Sequence, residues 1–360
     1  MPEEKKPAPE LVLSSAPHIR TEQSLPAIMW MVVIALLPAA AYSVYLFGLH
    51  ALILMLASII AAVGADALMQ ILLRRPRSFT DGSAVITGLL LAMNVPPQAP
   101  VWMAVIGSFF AIIIAKQLFG GIGFNIFNPA LAGRAFLMTS WPVYMTTKWH
   151  HFSPANVLSS GIANALGIPN AAYDVITGAT PLGALKEAPK LLGDMGVPIE
   201  SLYKLLFSNE MLASLFIGNV GGCIGETSAL LLLVGALFLL YKRIITWHIP
   251  FSYLGTVAGI MLLYYTLTGF PFPFRGAIFH LLSGGLMLGA FFMATDMVTS
   301  PVTKKGMIIF GAGCGLVTCV IRIWGGYPEG VSYSILLMNA AVPLIDRFTK
   351  PRVFGTKGKA

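Results

Sequence analysis

Charge is scarce in this sequence. Only 11% of its 360 residues are Asp, Glu, Lys or Arg, against roughly a quarter in an average soluble domain. So small a supply cannot clothe a water-facing surface, which argues against a soluble enzyme. A disordered chain needs the opposite balance, high charge with few apolar groups, and is excluded as well. Cysteine is scarcer still. Cys223, Cys314 and Cys319 are the only three, an odd number set in apolar or glycine-rich runs with no C-x-x-C. They read as small buried hydrophobes, neither a disulfide framework nor an iron–sulfur site built by this chain alone. There is no Walker loop, H-E-x-x-H or Ser-His-Asp set, and the catalytic and metal-ligand sets stay empty. The pair His150-His151 beside Trp149 reads as interfacial and supports no haem. The N-terminus, MPEEKKPAPE, lacks the short apolar region and cleavage site of a signal peptide.

What is abundant is apolar. AVILMFWYC residues make up 56% of the chain, and the mean hydropathy is +0.78. The expectation is an all-α polytopic membrane protein. A spanning helix needs about 20 apolar residues. Leu25–Gly48, His50–Leu73, Val101–Phe119 and Ile126–Trp141 are candidates in the first part. After the more polar stretch 142–210, Met211–Gly225 runs on into Glu226–Tyr241. Phe251–Gly269, Ala277–Met293, Met307–Ile323 and Val331–Leu344 follow. Ser83–Val95 is apolar but short, and Pro96-Pro97 stops it. With it, the chain makes about ten crossings. Short, glycine-interrupted spans point to broken helices beside a cavity.

Lys and Arg set the orientation. With the N-terminus inside, most of them, including Arg74, Arg75, Arg77, Lys242, Arg243, Lys304, Lys305 and the C-terminal cluster, fall on the inner side. Few, such as Lys148, Lys186 and Arg275, fall outside. The net charge of +8 is therefore a topology signal, and nucleic-acid binding loses its main support. The division expected is a cytoplasmic segment 1–24, a five-helix repeat 25–141, an extracytoplasmic loop 142–210, a second five-helix repeat 211–346 and a basic cytoplasmic tail 347–360. Five crossings per half would invert the second half relative to the first. A weak internal echo agrees: Gly88-Leu-Leu-Leu-Ala-Met lies on Gly289-Ala-Phe-Phe-Met-Ala, and the run ending Gly120-Gly121 on that ending Gly325-Gly326.

The outer loop holds Asp174-Val-Ile-Thr177-Gly178-Ala179-Thr180-Pro181-Leu182. By composition it is a turn, with hydroxyls beside a small Gly-Ala step that another enzyme can reach and esterify. Further on the first half carries Gly120-Gly121-Ile-Gly123-Phe-Asn125-Ile-Phe-Asn128-Pro129-Ala130-Leu131. Asn125 and Asn128 share a face if that segment is helical, and buried carboxamides offer both donors and acceptors. They also serve as caps and interhelical links, so both uses stand. Gly221-Gly222-Cys223-Ile224-Gly225-Glu226-Thr227-Ser228 precedes an apolar run. It suits close helix packing or an anion at a helix start. Asp66, Arg134, Asp296 and Arg322 lie in or near spans. Charges there are costly and face either a pathway or a partner.

These segments resemble the RnfD/NqrB family of membrane flavoprotein subunits. Asp174 to Thr180 is similar to its flavinylation motif, D-x-x-[ST]-G-A-T, with Val175 where Gly or Ala is frequent. Residues 116–131, the Phe216–Ser228 segment and Phe292-Met-Ala-Thr-Asp296 match further signatures in the family's order. The resemblance implies FMN joined by a flavin transferase, through its phosphate, to Thr180, with Asp174, Thr177, Gly178 and Ala179 completing the motif. It implies a noncovalent riboflavin near Asn125, Asn128 and Thr87. It suggests that Gly225, Glu226, Thr227 and Ser228 pack under the FMN, and that Asp66, the deepest acid by sequence, with Asp296 and Asp346 toward the inner surface, contributes to the passage of Na⁺ or H⁺. The form of the motif favours the Rnf type. The expectation is a subunit, inactive alone, of an ion-translocating ferredoxin:NAD⁺ oxidoreductase in a prokaryotic inner membrane, partnered by the other subunits. An NqrB-like subunit of an NADH:quinone pump and a non-redox secondary transporter are the alternatives.

Overall fold

A computed structural model describes residues 24–75, 80–147, 180–186 and 199–350, apart from the side chains of 199–202. Its described residues are helical and contain no strand. The motif residues Asp174, Thr177, Gly178 and Ala179 lie outside the described residues, as do most of the N-terminal segment and the C-terminal tail.

The first part runs α1 (Leu25–Phe47), α2 (Leu49–Leu72), α3 (Ser83–Met93), α4 (Val101–Gln117), α5 (Pro129–Ser140) and α6 (Pro142–Thr147). After it come α7 (181–186), α8 (Ile199–Leu206) and α9 (Asn209–Ile217). The last part runs α10 (Ala229–Tyr241), α11 (His248–Leu267), α12 (Pro273–Leu282), α13 (Leu286–Met293), α14 (Lys304–Trp324) and α15 (Val331–Phe348). The Ser24, Asn128, Ser208, Ser228 and Thr303 side chains accept backbone N–H bonds at the starts of α1, α5, α9, α10 and α14.

Four helices, α1, α2, α11 and α14, are long and apolar enough to cross a membrane, and the pair α12 and α13 makes a fifth if counted as one span. These spans establish an integral, polytopic membrane protein. At 1.5 Å per residue α2 is about 36 Å long, enough for a hydrocarbon core of about 30 Å, while α3 reaches only about 16 Å. The expected Ile126–Trp141 span begins instead at Pro129, because Asn128 caps the helix there. The expected Ala277–Met293 span breaks at residues 283–285 and bends by 64°. Met211–Gly225 ends as a helix at Ile217, since Gly218 turns left-handed with φ of 112°. The apolar outer faces, such as Ile34, Ile60 and Leu316, are exposed, as lipid-facing residues must be.

In the first part α2 packs on α3 and α4, and α4 on α5. In the last part α11 packs on α12 and α14, and α14 on α15. Helix α1 packs on α10, and α5 on α15, which joins the two parts into one core. The short helices α3 and α13 meet inside that core, where the Asn94 amide reaches the Met293 sulfur at 3.7 Å.

Candidate functional site

The short helices leave a cavity of about 110 Å³ between α1, α3, α5 and α13. A single water needs only about 10–15 Å³, so this space is sized for a larger guest. Thr87, Asn125 and Asn128 all line it, as do Asp296 and Lys116, with Phe291 and Phe292 among its apolar walls. Residues from distant parts of the sequence thus converge on one apolar pocket with a few polar groups, the usual make-up of a small-molecule site. Two π-helical stretches, Phe110–Gln117 and Gly289–Met293, bring Lys116 and the two phenylalanines to its wall.

The two asparagines do not share a helix face, which corrects the expectation for that segment. Between α4 and α5 the chain is a loop in which Gly120, Gly121 and Gly123 all have positive φ, between 91° and 132°. Only glycine takes these angles readily. Asn128 is the N-cap of α5: its Oδ1 accepts from the N–H groups of Ala130 and Leu131 at 3.1 and 3.3 Å, and its amide donates to the Met293 carbonyl. The Asn125 amide donates to the Phe127 carbonyl at 3.1 Å. The Thr87 hydroxyl donates to the Ser83 carbonyl at 3.0 Å. All three are buried.

The acids expected on an ion path separate. Asp66 is fully buried and fully partnered. Lys116 Nζ lies 3.1 Å from its Oδ1, and the amides of Gln117 and Gln70 donate to it at 2.6 and 3.0 Å. Lys116 also donates to the Ser83 hydroxyl at 2.8 Å and so links Asp66 to the cavity wall. Asp296 lines the cavity and accepts from the Thr299 hydroxyl at 3.1 Å. Asp346 sits apart, accepting from the N–H of Val302 at 3.3 Å.

A second polar group lies further along the same helices. Arg134 is about 9 Å along the α5 axis from Asn128. Its guanidinium donates to Asn94 Oδ1 at 2.7 Å, to the Ser332 hydroxyl at 2.9 Å and, through a short contact, to Glu329. Glu226 Oε1 lies 3.9 Å from it. Arg322 donates to the backbone carbonyls of Glu329, His280, Ser283 and Gly284. Neither arginine pairs with Asp66 or Asp296.

Gly225, Glu226, Thr227 and Ser228 are packed into this core, with Ser228 at the start of α10. A Cβ on Gly225 would fall 2.6 Å from that of Met93. Thr227 Oγ1 is 3.2 Å from the Ser43 hydroxyl, and the Ser228 hydroxyl caps α10. Thr180 begins α7, where its Oγ1 accepts from the N–H of Gly183 at 3.1 Å and its side chain is buried. Leu182 abuts Gly284, and Gly285 abuts the Glu226 carboxylate, so the 283–285 break separates Thr180's helix from Glu226. Lys186 donates to the carbonyls of Gly325 and Tyr327, fastening α7 to the end of α14.

Residues 12–355 match the family described as NQR2, RnfD, RnfE. The chain belongs to the NQR2, RnfD, RnfE family. It is 49% identical over 348 residues to the D subunit of the proton-translocating ferredoxin:NAD(+) oxidoreductase complex of Clostridium ljungdahlii, covering 96% of each chain. It is 50% identical over 347 residues to the D subunit of the Na(+)-translocating ferredoxin:NAD(+) oxidoreductase complex of Acetobacterium woodii, covering 96% of this chain and 95% of that one. The D subunit of an ion-translocating oxidoreductase complex from Stutzerimonas stutzeri is 45% identical over 341 residues, covering 93% and 94%.

Two residues of this NQR2, RnfD, RnfE chain escaped sequence reasoning. Glu329 stands in a Tyr-Pro-Glu-Gly turn that reads as surface loop, yet it is buried against Arg134. The signal available was the cost of Arg134 and Arg322, whose places within spans demanded acidic partners. Lys116 sits at a helix end and reads as snorkelling to the interface, but its ammonium turns inward to Asp66.

Proposed function

We propose that the chain is the D-type subunit of an Rnf complex, passing electrons through flavin and coupling ferredoxin:NAD⁺ redox chemistry to movement of Na⁺ or H⁺. The observation that carries this reading is the convergence of Thr87, Asn125 and Asn128 on one cavity. FMN is carried covalently on Thr180, and riboflavin occupies the cavity. The near full-length relatives named as such subunits support the assignment, and the D-V-I-T-G-A-T run supports the attachment point.

The residues present suit a flavin. Apolar walls at Phe291, Phe292 and Leu90 exclude water from a planar ring, and Lys116 and Asn125 supply donors at the rim. Bound flavin supplies the redox chemistry, while the protein supplies position and electrostatics. Thr180 offers its hydroxyl oxygen to the phosphate, and α7, anchored through Lys186, fixes that point against the end of α14. The finer architecture belongs to the same proposal: about ten crossings, two inverted five-helix repeats, both termini cytoplasmic and Thr180 outside. The matching neighbour order of α2 to α5 and α11 to α15 supports the repeat. Asp66, Asp296 and Asp346 are the proposed cation path. Undiminished ion pumping by all three Asp→Asn variants in reconstituted complex would remove them from it.

The attachment is tested by mass measurement of the peptide from Asp174 to Lys186, purified from a host that has the transferase. An FMN adduct on Thr180 is expected, and flavin fluorescence of the denatured band should vanish in Thr180→Val. An unmodified peptide and a dark wild-type band would favour the secondary transporter. The family also contains NQR2-type subunits, so an NADH:quinone pump is the second reading. Co-purification with a ferredoxin-type iron–sulfur subunit supports Rnf, and quinone reduction supports the other.

A further inference from the structure

The cluster around Arg134 holds two acids, and Arg134 is the cation in contact with both. One carboxylate oxygen of Glu226, one of Glu329 and the Cys223 sulfur all lie within 4.8 Å of one another. Arg134 is the cation that faces them, bonded to Glu329 and 3.9 Å from Glu226 Oε1. That oxygen is buried and has no hydrogen-bond partner. The other charged and titratable groups around it are accounted for. Arg322, from α14, brings a second positive charge near this core, but its hydrogens go to four backbone carbonyls and none reaches either carboxylate. His280, from α12, bonds the Tyr265 hydroxyl at 2.9 Å. Asn94 and Ser332, from α3 and α15, are neutral and spend their oxygens on Arg134.

Two carboxylates so close do not both stay charged beside the one guanidinium that touches them, and a buried carboxylate oxygen without a partner is costly. A proton removes that cost. It turns one carboxylate into a neutral acid with a hydrogen to donate, and the orphaned oxygen ceases to be a bare anion. We propose that Glu226 and Glu329 form a proton-binding pair, sharing one proton and held in register by Arg134. The pair lies between the cavity and Thr180's helix, reached from the first along α5 and from the second across the 283–285 break. The proposal stands on this geometry and does not depend on flavin in the cavity. The same donors would also suit a soft divalent cation, although Arg134 already fills the positive role.

The test is infrared spectroscopy of the purified complex at neutral pH, in H₂O and D₂O, with metal analysis of the same samples. Wild type should show the carbonyl stretch of a neutral carboxylic acid, shifted in D₂O, and the band should be lost in Glu226→Gln and in Glu329→Gln. Glutamine has the shape of a neutral glutamic acid, so at least one of the two variants should assemble. The idea is overturned if the band survives both substitutions. Failure of both to assemble would overturn it too, as would stoichiometric metal that disappears with Glu226→Gln.

Discussion

At the scale of single residues, the strongest constraint is Arg134. It is the hub for Asn94, Ser332, Glu329 and Glu226, and it is buried. Removing one partner of a buried ion pair is far more costly than replacing the whole pair, because the other charge is left bare. Arg134→Met should therefore destabilise the protein by about 3–5 kcal/mol. A large drop in the thermal midpoint of the detergent-solubilised protein is the expected reading, and an unchanged midpoint would deny Arg134 its role as hub. Arg134→Lys should recover only part of the loss, since an ammonium cannot span the fork of acceptors that the guanidinium serves. Charges inside apolar text announce themselves in the sequence, so Arg134, Arg322 and Asp66 were legible as costly. Their partners were not. A partner at Glu329 is fixed by the way α15 enters the core, which depends on contacts distant in sequence.

At the scale of helices, the apolar runs were legible and their ends were not. The side-chain oxygens of Asn128, Ser228 and Thr303 satisfy backbone donors and fix the beginnings of α5, α10 and α14, whereas hydropathy placed those starts at Ile126, Glu226 and Met307. Hydropathy overran where helices stop inside the core, as at Ile217 and at the 283–285 break, since buried loops are as apolar as the helices they join. Close packing also leaves its mark. A Cβ on Gly88 in α3 would lie 2.7 Å from the Ile59 backbone in α2, and the Ser58 hydroxyl already donates to the Gly88 carbonyl at 2.7 Å. Gly64, on the outward face of α2, has nothing within 4 Å. Gly88→Ala should force α3 off α2 and cost about 1–3 kcal/mol. Gly64→Ala should be neutral or stabilising by up to about 1 kcal/mol, through helix propensity alone. Thermal midpoints of the two variants check this, and equal effects would refute the packing argument.

For the whole molecule, orientation rests on the placing of Lys and Arg, and the short helices are where it is most exposed to test. Glu210 lies in the first turn of α9 and Lys242 follows α10, and both are exposed. Between them α9 turns at Gly218, the chain passes through the buried Ile224–Glu226 turn, and α10 adds only about 20 Å. Neither helix alone spans a hydrocarbon core of about 30 Å. Together they do so only if the turn lies within the membrane's depth, sealed by α1, α3 and α13, as its contacts with Ser43, Met93 and Leu288 require. On that argument Glu210 and Lys242 lie on opposite sides. The three native cysteines are buried, so an introduced one can be read against a low background. Glu210→Cys should react with a membrane-impermeant maleimide on intact cells, whereas Lys242→Cys and Lys305→Cys should react only after the membrane is opened. Labelling of Glu210→Cys and Lys242→Cys from the same side would make α9 and α10 a re-entrant pair, reverse the side assigned to every later loop, and leave the positive charges without a consistent inner face.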